Sequence, residues 1–73
     1  MHKTISGIKL VKFLSKKGFE IYSQKGSHVK MISRERQVKT IIPQHSEIAK
    51  GTLNSILKQT KLTESEISEL LEK

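Results

Sequence analysis

Phe19-Glu20-Ile21-Tyr22-Ser23-Gln24-Lys25-Gly26-Ser27-His28-Val29-Lys30-Met31-Ile32-Ser33 reads as two strands about a turn. In the first half, Phe19, Ile21 and Ser23 alternate with Glu20, Tyr22 and Gln24, the period of a half-buried strand. Lys25-Gly26 supplies the turn. From Ser27 to Ser33 the alternation resumes, with Val29 and Met31 on the apolar face and His28, Lys30 and Ile32 on the other. A β-hairpin follows, and it directs His28 away from the core.

On the N-terminal side, Ser6 can cap a helix over Gly7 to Lys17, in which Leu10, Val11 and Leu14 form one apolar stripe. Phe13 widens that stripe, and Lys9, Lys12, Lys16 and Lys17 read as a solvated helix face. Gly18 suits the left-handed residue after the helix, with Phe19 folding back on its last turn. On the C-terminal side, Ser33 to Gln37 is a charged loop. Val38 to Ile42 forms a third strand, which Pro43 closes because it lacks a backbone donor. A second helix lies within Ser46 to Thr60, starting near Lys50, with Ile48, Leu53, Ile56 and Leu57 apolar. Thr63 and Glu66 have capping-box spacing ahead of Ile67, Leu70 and Leu71, a short terminal helix. The order predicts an α+β sandwich in which a three-stranded antiparallel meander carries both main helices on one face and leaves the other open.

The chain of 73 residues carries 14 Lys and Arg against 7 Glu and no Asp, a formal net charge of +7. At this length roughly 60% of the unfolded surface can be buried, so residues 1–73 read as a single domain with a thin core. Charge is uneven: 13 basic and 3 acidic residues precede Leu62, and one Lys and four Glu follow from there. A body this basic attracts polyanions, because each cation placed on a phosphate releases a condensed counterion. No apolar run approaches a membrane span, and no basic amphipathic helix with an aromatic apolar side points to a membrane surface. The first residues lack an apolar signal segment, which gives the expectation of a cytoplasmic protein. Without cysteine, disulfides and thiolate chemistry are excluded.

The remaining chemistry is sparse. His2, His28 and His45 have no metal-ligand spacing, no Ser-His-Asp constellation can form without Asp, and glycine-rich phosphate loops are absent. No metal or small-molecule cofactor is expected. What stands out is His28 on the open sheet face, beside Gly26, Ser27 and Lys30, in a domain that collects nucleic acid. An imidazole there can take a proton from a ribose 2′-OH, which then attacks the adjacent phosphate, while Lys25 and Lys30 stabilise the developing charge. The general acid stays open between His45, water and a protonated His28. His2 reads as incidental. At the second helix start, Lys50 and free backbone N–H groups favour an anion.

Five blocks stand in order: Ser6-Gly7, Gly18-Phe19-Glu20, Lys25-Gly26-Ser27-His28, Pro43 with His45, and Lys50-Gly51-Thr52-Leu53 running into Ser55-Ile56-Leu57-Lys58-Gln59. From Ser6 to Leu62 the chain thereby resembles the HicA family of bacterial and archaeal toxins, small mRNA interferases held inactive by a HicB antitoxin. The resemblance implies a fold similar to the double-stranded RNA-binding domain, helix-strand-strand-strand-helix, with the family's catalytic histidine matching His28. It also implies mRNA as substrate and a HicB-type antitoxin that masks His28. Val29, where a polar residue often follows the histidine, and the Gln44 to Glu47 link, which lacks a common Gly, depart from that pattern. The expectation is a metal-independent endoribonuclease toxin with His28 catalytic and Lys25, Gly26, Ser27, Lys30 and Lys50 on the RNA. The alternative is a non-catalytic RNA-binding module of the same fold.

Overall fold

A serine hydroxyl starts the first helix. In the computed structural model, which describes residues 4–72, Ser6 accepts a hydrogen bond from the Lys9 backbone N–H at 3.0 Å and caps α1 (Gly7–Lys16). The helix ends as its sequence predicts. Gly18 takes φ +93°, its N–H donates to the Ser15 carbonyl, and the Phe19 N–H donates to the Leu14 carbonyl at 3.0 Å. This is the paired-bond helix stop that a left-handed glycine allows, and it delivers Phe19 into the core beside Leu14.

Three strands follow, β1 (Glu20–Lys25), β2 (His28–Ser33) and β3 (Val38–Pro43), antiparallel in the order β1-β2-β3. Then come α2 (Lys50–Gln59) and α3 (Glu64–Leu71). The architecture is α+β, consistent with the fold expected of a double-stranded RNA-binding domain. β2, in the centre, buries Val29, Met31 and Ser33 and turns His28, Lys30 and Ile32 the other way. The core gathers Leu10, Leu14, Phe19, Val29, Met31, Ile42, Leu53 and Ile56 between sheet and helices. Helices α1 and α2 meet the sheet chiefly through β3.

β1 departs from simple alternation. Ile21 pairs with Met31 but Ser23 pairs with Lys30, so Tyr22 is an extra residue bulged out of the ladder. The parity of the strand changes there: Ser23 joins the face of Lys30 instead of the face of Ile21. Ile21 is on the core side of the sheet yet 51% exposed, because β1 is an edge strand away from the helices and buries no residue along its length. The half-buried strand expected from the sequence is therefore a largely exposed one.

The acidic C-terminal segment folds back on the body. Thr63 and Glu66 form the capping box, and Leu70 is buried with Ile67 and Leu71 packed beside it. Arg36, in the β2–β3 loop, grips Glu66 with two parallel hydrogen bonds of 3.0 and 2.8 Å and also donates to the Lys61 carbonyl. Lys17 reaches Glu69 at 3.1 Å and Glu66 at 3.9 Å, and its Nζ lies 5.3 Å from the Phe13 ring centroid. Lys17 is thus a tie between α1 and α3, whereas the helix pattern assigns it to a solvated face.

The Arg36 hydrogen bonds, then the Thr63 backbone N–H and the Arg36 and Lys17 charges, hold the Glu66 carboxyl at about 2, against an ordinary value of 4.5. A depressed folded-state value stabilises the fold above the ordinary one and loses that contribution as pH falls toward the depressed one. Denaturant titrations should accordingly show stability declining between about pH 4.5 and pH 2. In Glu66→Gln that part of the decline should disappear, the variant being less stable at neutral pH and converging on wild type in acid.

Candidate active site

β-sheet register assembles the candidate residues at one end of the sheet. Lys25 and His28 are Cα partners across the β1–β2 hairpin, and His28 is in turn the partner of Pro43 on β3. Partners in register share a face, so Lys25, His28 and, two residues on, Lys30 stand on the open side of the sheet. Gly26 and Ser27 form the turn between them. Gly26 has φ +54°, a left-handed conformation that glycine adopts without a Cβ penalty. His28 is exposed, as its place in the alternation predicts, and Lys30 is half-buried.

His45 comes to the same place by a different route. β3 ends at Pro43, and the Gln44 N–H donates to the Ser27 carbonyl at 2.6 Å, so the link past the strand stays beside the hairpin turn. The start of α1 and the residues leading into it hold that link from behind: the Gly7 N–H donates to the His45 carbonyl at 2.9 Å, and the Ile48 N–H donates to the Ile5 carbonyl at 2.8 Å. His28 and His45 consequently line one cleft of about 360 Å³, with Ile41, Pro43, Ala49 and Thr52. Among the described residues no side chain bonds to either imidazole.

The start of α2 closes the third side. Ala49 is its N-cap and makes no side-chain capping bond, so the first turn keeps unsatisfied backbone N–H groups beside Lys50. Lys50 itself is exposed between Ala49 and Thr52, the two cleft residues. Lys25, Gly26, Ser27 and Lys30 do not line the cleft but border it through the hairpin. The sequence offers His45 only as an open candidate for the general acid and Thr52 only as part of the Lys50-Gly51-Thr52-Leu53 block, and it gives no sign of Ile41 or Ala49 as cleft residues. Their meeting depends on β3 pairing in register with β2 and on Gly7 touching Pro43 and Gln44, long-range contacts with no local signature.

Among the described residues, no three His or Glu side chains gather in a way that could hold a metal ion, and no helix is long and apolar enough to cross a membrane. A family model described as the HicA toxin of bacterial toxin-antitoxin systems matches residues 7–62, more than half of the chain. The chain belongs to the HicA toxin family. It is accordingly a toxin of a toxin–antitoxin pair, and its counterpart is an antitoxin. The comparison with curated proteins returns no match. The HicA match contains both histidines, the hairpin and α2, and ends before α3.

Gly7 leaves no room for a side chain beside this site. A Cβ there would overlap the Pro43 carbonyl oxygen and stand 2.8 Å from the Gln44 Cα, both backbone atoms that cannot swing aside. Gly7→Ala should cost about 1–3 kcal/mol by overpacking. The cost can be measured by chemical denaturation. The His45 ring signals in an NMR spectrum should shift while those of residues on α3 stay in place.

Proposed function

We propose that this toxin is an endoribonuclease that cleaves mRNA and arrests translation until a HicB-type antitoxin covers it. The observation that carries the proposal is the pair of exposed imidazoles, His28 and His45, lining one cleft in a basic domain. HicA toxins are generally nucleases, and the chemistry available to two histidines accounts for RNA as the substrate. His28 takes the proton from a ribose 2′-OH. The freed oxygen attacks the adjacent phosphorus, the bond from phosphorus to the 5′-oxygen breaks, and His45 gives that oxygen its proton. The products are a 2′,3′-cyclic phosphate and a 5′-hydroxyl. Every proton is accounted for by the two side chains, so the route needs no metal ion.

Charge around the cleft serves the same reaction. Lys25 and Lys30 flank His28 on the open face, and Lys50 stands with the free N–H groups of the α2 start, so the RNA backbone meets positive charge on two sides. Negative charge that builds on the phosphate oxygens is stabilised by these groups. Gly26 and Ser27 keep the hairpin turn low enough for a backbone to approach.

Incubation of a long mRNA with purified wild type, His28→Ala and His45→Ala in EDTA tests the proposal on a denaturing gel. Wild type should cleave, leaving cyclic-phosphate ends. His28→Ala should lose about 100-fold or more, the usual contribution of a general acid or base, and His45→Ala should lose a comparable or smaller factor. Equal cleavage by all three proteins would move the site elsewhere. Intact RNA bound equally by all three would identify a binding module without catalysis.

A further inference from the structure

We infer that a second cleft, beside the one holding His28 and His45, binds a single RNA nucleobase by stacking on Tyr22, and selects the nucleotide next to the cleaved phosphate. The inference rests on the ribonuclease reading for its place in the reaction. The second cleft has a volume of about 390 Å³ and is lined by Tyr22, Lys39, Ile41, Thr52, Ser55 and Gln59, among others. Ile41 and Thr52 line both clefts, so the two sites share a wall. A nucleotide whose phosphate lies by His28 therefore has a neighbour within reach of Tyr22.

Each part of this cleft suits a base. Tyr22 is half exposed, and it is the extra residue of the β1 bulge, a device that takes a side chain out of the pleat and re-aims it. Lys39, from β3, reaches across the central strand and holds its Nζ over the Tyr22 ring, 5.8 Å from the centroid, so a base stacks on ring surface that Lys39 leaves open and its phosphate meets the cation. Opposite, Thr52, Ser55 and Gln59 follow one another along α2 at helical spacing and offer two hydroxyls and a carboxamide. The buried Thr40 hydroxyl donates to the Gln59 carboxamide oxygen at 3.1 Å, which fixes that group and leaves its N–H groups as donors for a base edge. An aromatic ring against fixed polar groups is how single-stranded RNA is read.

Tyr22 is the single tyrosine in a chain without tryptophan, so its emission reports this site alone. The probes are short 2′-O-methyl homo-oligonucleotides of A, C, G and U, which lack the attacking hydroxyl and stay intact. Binding should quench Tyr22 emission, to different extents for the four bases. Tyr22→Ala should weaken binding of the preferred one about tenfold or more, while Tyr22→Phe, which keeps the ring, retains it. Fragment ends sequenced from a cleaved mRNA should lose their nucleotide preference in Tyr22→Ala and keep it in Tyr22→Phe. Oligonucleotide binding with unquenched tyrosine and unchanged fragment ends in Tyr22→Ala overturns the inference and leaves the ribonuclease reading standing. Base-dependent quenching by a wild type that cleaves no RNA sinks the ribonuclease reading and supports the base site as a binding site.

Discussion

A backbone contact at Gly7 holds the site together. Without a Cβ, the first residue of α1 can lie against Pro43 and Gln44, where its N–H reaches the His45 carbonyl. The two hydrogen bonds from Gly7 to His45 and from Ile48 to Ile5 pin the β3–α2 link to the start of α1 and the segment leading into it. That link carries His45 and delivers the start of α2. Were it free, His45 would sit on a solvated connection with many conformations, and ordering it would oppose any catalysis it took part in. The fold does this ordering through main-chain atoms, which leaves the imidazole available.

Charge is arranged along the sheet to complement the site. The β2–β3 loop and the beginning of β1 lie at one end of the strands, and the β1–β2 turn with His28 lies at the other. α3 docks at the first end, where Glu66 and Glu69 pair with Arg36 and Lys17. Glu66 and Glu69 are thus engaged far from the hairpin turn, and of the acidic residues Glu47 alone stands on the link between His45 and Lys50. A polyanion approaching such a surface is steered toward the turn and the start of α2. The bidentate grip of Arg36 on Glu66, with Lys17 on Glu69, ties the chain past Leu62 to the body, where Leu70 is buried completely.

Local rules make much of this legible in the sequence alone. Ser6, Gly18 and the Thr63–Glu66 box mark helix ends because capping is settled within a few residues, and each makes the bonds its spacing predicts. The hairpin and the exposed place of His28 come from the same local logic. Three features escape it. The bulge at Tyr22 carries no Gly or Pro to announce it, and it changes the parity of an edge strand whose alternation is weakly enforced by burial. Lys17 looks like its neighbouring helix lysines, since its partners Glu66 and Glu69 lie about fifty residues away. The meeting of His45 with His28 needs β3 in register and Gly7 in contact, neither of which any short window contains.

The same strand that fixes the core also fixes the place of His28. β2 lies between two partners, and its buried residues, Val29, Met31 and Ser33, alternate with His28, Lys30 and Ile32. A slip of one residue would expose Met31 and bury an imidazole and an ammonium without partners, a penalty far larger than a ladder hydrogen bond returns. Val29 therefore has a reason to be apolar: at 3% exposure it belongs to the core cluster with Leu10, Leu14 and Ile42. On an edge strand the same demand is relaxed, and β1 can spend a residue on the Tyr22 bulge without moving His28. The division is physical: the central strand, constrained on both sides, holds His28 in place, and the edge strand, constrained on one, is free to vary what lies beside it.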